Sequence, residues 1–445
     1  MDKKYVHLQF WKYVLPSMFS MLLCGFYSIV DGLFVGNSVG DVALAAINIA
    51  YPIQVILNAS AIGIGIGGSV LMAGYHGQND LEKGKHALGS TFTLLLSIGL
   101  LLPCVLLFFV DGLLAALGAE GVVFVQAKEY IVMILLGGLL PVLGNGLNPL
   151  IRNYGKTIVA TLIMSSGLIT NIILDYVFVF EWRWGLGGAG LATIIAQGVV
   201  AFGSLVYLCY MEICHYRLYD LFPKAYIVRQ IVRIGISPFG QTLMPSFVLI
   251  LTNWMCLKYG GSSAVTIYSV VSYVLASAQL LLQGVGDGVQ PLLSYYQGAG
   301  LKEEVQELYH KGFYMSLIVA LFLCLGVVYF QVPLTNLFGV SEQLVDATRS
   351  AILITAISFP FLGIVRCTSA YFYASGQAKS SSLLVYLEPC LILPSILLLF
   401  SFLFHLNGIW LTYPTAQIIL CGIALLLKRP HRLPQLRLAR LKMER

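Results

Sequence analysis

Charge is scarce in this chain. Only 10% of its 445 residues are Asp, Glu, Lys or Arg, against about 25% in a soluble domain, which excludes a water-soluble enzyme. The length would allow about three soluble domains at ~150 residues each, but no segment is polar enough to be one. The nine cysteines are scattered through apolar stretches, with no C-x-x-C and no metal-like Cys/His spacing, so a disulfide framework and a zinc site are excluded. There is no His-Glu-x-x-His, no nucleophile elbow and no Walker loop, which argues against a protease, a lipase and an ATP-driven pump. The histidines (7, 76, 86, 215, 310, 405 and 431) fall mostly at loops or termini and are assigned no chemistry. A small-residue cleavage site is missing behind the first apolar segment, which therefore reads as a retained span and not a signal peptide.

What the chain has is apolar length. Hydrophobic residues make up 58% and the mean hydropathy is +0.85. Runs of ~20 residues, each able to cross ~30 Å of hydrocarbon, place spans near residues 13–35, 47–74, 88–110, 128–150, 157–180 and 189–211. A polar stretch carrying Arg217, Asp220, Pro223, Lys224 and Arg229 follows, and then spans near 234–257, 264–296, 313–332, 347–373, 382–404 and 408–427. The alternation of barrel strands is absent, so all twelve read as helices. With the N-terminus inside, 21 of the 26 basic residues are cytoplasmic; only Lys128, Arg183, Lys258 and Arg349 fall outside, and Arg366 lies within a span. The positive-inside rule then puts both termini in the cytoplasm. The net charge of +6 sits in short loops and the tail, so the bilayer and not nucleic acid is the expected partner.

The two halves repeat at an offset of about 221 residues. Gly63 to Gly67 (GIGIG) followed by Tyr75-His76-Gly77 matches Gly284 to Gly288 (GVGDG) followed by Tyr296-Gln297-Gly298. Pro16 aligns with Pro238, Gly155 with Gly376, and Gln197 with Gln417. Six spans per half make the halves parallel, related by an axis along the membrane normal with a cavity between them, an alternating-access design. The expected organisation is a first lobe over 1–211, a linker over 212–232, a second lobe over 233–428 and a basic tail over 429–445. The glycine runs lack the strand-then-helix context of a dinucleotide site and read as small residues four apart for close helix packing.

Carboxylates inside a membrane are costly and mark ion or proton paths. Only Asp31, Asp175, Asp287 and Glu388 sit well within apolar segments. Asp31 and Asp175 each lie 18 residues into spans that enter from inside, about 27 Å deep at ~1.5 Å per residue. Asn171 shares the Asp175 face one turn inward, and Thr193 lies four residues into span six at the same level. Oxygens of this kind suit a hard cation such as Na⁺, and two carboxylates brought together favour taking up a proton. The bland alternative is that both aspartates merely border the outer headgroups. Among second-lobe polar candidates, Gln283, Asp287, Arg366 and Glu388, the last is expected to pair with Arg366, while Asp287 is read equally well as held by backbone groups at a break in its glycine run.

The stretch from Leu15 to Ala46, NIILDYVFVF (Asn171 to Phe180), GLGGAGLAT (Gly185 to Thr193) and GVGDGVQPLLSYYQGAG (Gly284 to Gly300) together resemble the MATE (multidrug and toxic compound extrusion) transporters, over nearly the whole chain. Within that family the sequence looks most like the DinF-like branch and its MepA-like drug exporters. The resemblance implies a monomeric exporter of bulky, often cationic compounds in a prokaryotic plasma membrane, driven by H⁺ or Na⁺ entry and using no other cofactor. It places the first-lobe cation or proton site on Asp31, Asn171, Asp175 and Thr193, with Asn148 as the match for a fourth-span asparagine. The second-lobe acidic site of the NorM-like branch, on spans seven and ten, has no match, since those spans offer Gln241 and Arg366. Tyr27, Tyr51, Tyr154, Met244 and Tyr268 are candidates for a broad apolar and aromatic substrate cavity. The rival readings are a flippase for a lipid-linked saccharide, which would want several cavity cations where only Arg366 is read as embedded, and a membrane enzyme acting on lipids, which lacks a histidine or metal-ligand set beside Asp31 and Asp175.

Overall fold

The structure, a computed structural model, describes residues 3–39, 41–211, 222–337 and 342–429; the side chains of 3–4, 26–39, 41, 44 and 336–337 lie outside that description, as do residues 212–221 of the linker expected over 212–232 and the tail beyond 429. Among the described residues every regular element is helical. The first lobe runs α1 (Lys3–Val39), α2 (Asp41–Gly77), α3 (Leu81–Phe108), α4 (Val110–Ala116), α5 (Gly121–Leu136), α6 (Leu139–Asn153), α7 (Thr157–Asp175), a π-helical turn (Tyr176–Glu181) and α8 (Gly185–Met211). The second runs α9 (Ala225–Gly298), α10 (Lys302–Leu337), α11 (Glu342–Ala356), α12 (Phe359–Ala374), α13 (Ala378–Leu387), a π-helical turn (Glu388–Ile392) and α14 (Leu393–Lys428).

Twelve crossings emerge once the breaks are read. α9 is two spans joined at Gly261, where φ is 65°, and α14 breaks at His405, where φ is 52°. α5 and α6 form one span bent by 58°, and α11 with α12 another bent by 40°. The bends fall at residues 137–138 and 357–358, the same place in each half. Positive-φ residues repeat likewise: Asn79 with Gly300, Gly155 (φ 82°) with Gly376 (φ 81°), and Arg183 with His405. Gly155 and Gly376 close corresponding helices in the left-handed conformation that glycine adopts without a steric penalty. The internal repeat is thus written in the backbone.

Large apolar side chains face outward along the helices: Phe108 is 83% exposed, Tyr329 80% and Phe402 75%. Water would not tolerate such a surface, and lipid tails would. Trp182 and Trp184 stack on Phe178 at one end of α7 and α8, where amphipathic rings suit a headgroup region. At the opposite end, outside the spans, Asp80 caps α3 by accepting from the Lys83 amide (3.1 Å) and ammonium (2.6 Å). The Lys83 hydrogen bonds hold that carboxyl below its ordinary range.

The glycine runs lie inside unbroken helix and pack reciprocally between the lobes. A β-carbon at Gly63 would press on Gly235 and Phe239 of α9, and one at Gly67 on the Ile231 carbonyl. Gly284 and Gly288 of α9 meet Ser17, Met18, Tyr13 and Val14 of α1 in the same way, and Gly298 sits on the Gly74 backbone. These tight contacts all occupy the half of each helix nearest the face where α1 begins and α14 ends, hereafter the terminus face. There the cores also interchange: Val6, Phe10 and Val14 of α1 join the second-lobe cluster, while Ile227 and Ile231 of α9 join the first. The helix that carries the seventh span accordingly starts at Ala225, within the stretch expected as linker. Its first turns read as polar linker because Lys224, Arg229 and Arg233 flank them, yet one face is buried. Gly298→Val should overpack this contact by about 1–3 kcal/mol. The expected outcome is a lower melting temperature in detergent and faster labelling of cysteines introduced at the terminus face; unchanged values for both would remove the glycine contact as a determinant of lobe packing.

Candidate functional site

The first-lobe group is built on α7 and α8. Asn171, Asp175 and Thr193 are all buried, Asp175 to 1% exposure. Asn171 Nδ2 donates to Asp175 Oδ2 at 3.0 Å across one helical turn. Asp175 closes α7 where the helix steps into its π turn, a local widening that recurs at functional sites. α8 runs antiparallel beside it, with Gly188 against Phe178 and Gly167 against Ala196 and Val200. That register sets Thr193 between the levels of Asn171 and Asp175, where its hydroxyl donates to the Ala189 carbonyl at 3.0 Å. The Asp31 side chain lies outside the described residues. Its backbone is placed by register: α1 packs along α7 and Thr161 Oγ1 donates to the Pro16 carbonyl at 3.1 Å. Fifteen residues on from Pro16 and fourteen on from Thr161, the backbones of 31 and 175 are level to about one residue's rise of ~1.5 Å.

Asn148 does not join this group. Its Nδ2 donates to the Ala160 carbonyl at 2.9 Å, about 22 Å along α7 from Asp175 at ~1.5 Å per residue. It ties α6 to the start of α7.

Two further expectations are corrected. Asp287 is not held by backbone at a helix break; it accepts from Gln283 Nε2 at 3.1 Å and faces Arg152 of α6 at 4.0 Å. Arg152 therefore lies inside the protein and not in a loop, its side chain 8% exposed against 11% for Asp287. It is a second embedded cation beside Arg366, matched by a carboxylate from the other lobe. Next to it Asn153 and Gln290 exchange hydrogen bonds across the lobes at 3.2 Å. No sequence signal marked this network, because Arg152 stands one turn before the Gly155 turn and reads as a loop cation. Glu388 and Arg366, in turn, make no direct ion pair. Glu388 Oε1 accepts from Gln417 Nε2 at 2.6 Å, and Arg366 Nη1 reaches Gln283 Oε1 at 3.5 Å.

Glu388 and Arg366 share the wall of a small pocket with Gln241, Met244 and Gln279. Tyr268 lines a second small pocket with Trp410 and Tyr413. Both lie within the second lobe and not between lobes. Of the other cavity candidates, Tyr51 is 49% exposed on α2, and Tyr154 sits 5.4 Å ring to ring from His76 near the terminus face; neither lines these cavities. The Tyr27 side chain lies outside the described residues.

Two repeated lobes of six crossings, joined by glycines and by a buried charge pair, with a carboxylate and an amide paired inside the first, define a polytopic helical membrane protein of the two-lobed transporter class. The chain belongs to the MatE family, whose model matches residues 16–177 and 239–388. It is 25% identical to the multidrug export protein MepA of Staphylococcus aureus (strain NCTC 8325 / PS 47), over 93% of this chain and 91% of that protein. In fold it matches a multidrug resistance MATE family transporter of the MOP superfamily in an outward-facing conformation, with a TM-score of 0.89, 22% identity and coverage of 98% and 96% of the two chains. A MOP superfamily transporter from Pyrococcus furiosus, described by a binding pocket of reverse polarity, matches at 0.88 with 22% identity over 95% and 94%.

Removing one partner of the buried pair leaves an uncompensated charge, which costs about 3–5 kcal/mol. Arg152→Ala is therefore expected to lower thermal stability in detergent sharply, and Arg152→Ala with Asp287→Ala to recover most of the loss. Equal destabilisation in the single and double variants would show that the two charges do not interact.

Proposed function

We propose that this protein is a drug–cation antiporter that exports bulky, cationic compounds by alternating access, with the coupling H⁺ or Na⁺ bound in the first lobe by Asp31, Asn171, Asp175 and Thr193. The observation that carries the reading is Asp175: a carboxylate buried to 1% exposure inside a spanning helix, bonded to Asn171 and level with a second aspartate on α1. Such groups are retained in membranes for ions and protons. The likeness to the multidrug exporter of Staphylococcus supplies the substrate class. No chemical conversion of substrate belongs to this reading.

The terminus face is cytoplasmic by its excess of Lys and Arg. Tight contacts between the lobes at that face leave the opposite half for opening outward, the side from which the first-lobe group draws its ion. Neutralising the aspartates removes their mutual repulsion and lets α1, α7 and α8 pack more closely. An ion shifts the equilibrium only through such a difference between states. Pro16 makes α1 the helix suited to bend, since it removes one hydrogen bond of the ladder. The flippase alternative gains little from Arg152, because Asp287 already matches that charge.

Two measurements check this. In proteoliposomes under separately imposed pH or Na⁺ gradients, Asp31→Asn and Asp175→Asn should reduce gradient-driven efflux to the uncoupled background while the protein remains folded; wild-type rates would remove these residues from the mechanism. In detergent, protonation or Na⁺ binding should weaken the affinity for a fluorescent cationic drug, and the drug should weaken ion binding by the same factor. A drug affinity constant across both titrations would leave coupling through this site unsupported.

A further inference from the structure

The first-lobe site makes no use of Glu388, yet the surroundings of that residue have the parts of a site of their own. α7 and α13 occupy the same place in the repeat, each following a positive-φ glycine, and each leads into a π-helical turn with a carboxylate at the junction, Asp175 in one and Glu388 in the other. The depths differ. Counted from the helix starts at ~1.5 Å per residue, Asp175 is about 27 Å in and Glu388 about 15 Å, near the middle of the hydrocarbon.

Glu388 borders the small second-lobe pocket. Its Oε1 accepts from Gln417, whose side chain is fully buried. The amide oxygen of Gln417 is itself buried without a hydrogen-bond partner. The groups that face Glu388 come from each neighbouring element. α12 presents the Arg366 guanidinium, which has no carboxylate within 4 Å among the described residues. α14 presents Tyr413, whose hydroxyl accepts from Gln279 at 2.9 Å. On α13 the Tyr386 hydroxyl is engaged elsewhere, donating to the Ile236 carbonyl at 3.0 Å, and Cys390 of the π turn is exposed. α9 offers the neutral amides Gln241 and Gln279.

We propose that Glu388 is a second proton-binding site of this protein, set in the second lobe, with Gln417 as its switchable hydrogen-bond partner and Arg366 as the counter-charge across the cavity. A side-chain amide serves both states of a carboxyl. Facing the carboxylate, Gln417 donates through its NH₂. Turned over, it accepts the new O–H through the oxygen that otherwise has no partner. The step is the addition of one proton to one carboxylate oxygen, and nothing else is consumed. A proton fits better than a metal ion, because the site offers one carboxylate and one free amide oxygen, where a hard metal cation takes about six oxygens. This extends the antiport reading by giving each lobe its own ion site, at different depths and with different chemistry.

The test is infrared difference spectroscopy of the full-length protein in lipid, between mildly acidic and mildly alkaline Na⁺-free buffer. A carboxylic acid carbonyl band should appear on acidification, and one component of it should be lost in Glu388→Gln and kept in Asp175→Asn. Gln417→Leu keeps the carboxyl but removes its partner, so its band should persist at a shifted frequency, which tests the site even where Glu388→Gln folds poorly. A Glu388→Gln spectrum identical to the wild-type one, or that component unshifted in Gln417→Leu, overturns the proposal. The first-lobe reading fails separately, through wild-type efflux in Asp175→Asn, and that outcome leaves this spectrum unaffected.

Discussion

The close approach of helix backbones at the terminus face is the constraint on which the rest of the molecule depends. Gly63 and Gly67 of one lobe lie against the first helix of the other, and Gly284 and Gly288 return the contact to α1. Between apolar helices in lipid there is little hydrophobic gain from association, so van der Waals contact of bare backbone must supply it. Once the backbones are this close, whatever polar groups lie beside them are sealed from water. Arg152 finds Asp287 and Asn153 finds Gln290, because an unmatched charge or amide at that depth would cost more than the contact gains.

The two lobes agree in backbone and differ in chemistry. Bends, positive-φ turns and glycine runs recur at one offset, so the repeat fixes shape. Side chains do not follow it. The position equivalent to Asp175 is Ile396, and the position equivalent to Glu388 is Gly167. The first lobe holds its acid in the outer half beside an amide on the same helix. The second holds one nearer the middle, beside an amide on α14 and across a cavity from an arginine.

The sequence carried the crossings, their breaks and the repeat because each depends on local quantities: apolar length, glycine and proline positions, and spacing along one chain. The bond between Asn171 and Asp175 was legible for the same reason, since four residues of helix place both on one face. Counting rise along a helix gives height but not direction. It placed Asp31 and Asp175 level, but it could not turn Arg152 inward or steer Glu388 toward Gln417 and away from Arg366. Those outcomes depend on which helices become neighbours. The start of α9 was hidden by its charges, because three basic residues outweigh a narrow buried face in any average over a window.

The interchange of core residues at the terminus face bears on how the protein is made. Val6, Phe10 and Val14 belong to the second-lobe core, yet they leave the ribosome well ahead of it. Their partners around Val285 and Val289 follow roughly 15–60 s later at the usual pace of synthesis. For that interval the opening helix sits in the bilayer with its packing face turned to lipid, and the glycine grooves of α2 stand empty. The first lobe is thus a waiting template, and its final geometry is a post-translational event set by the arrival of the eighth crossing.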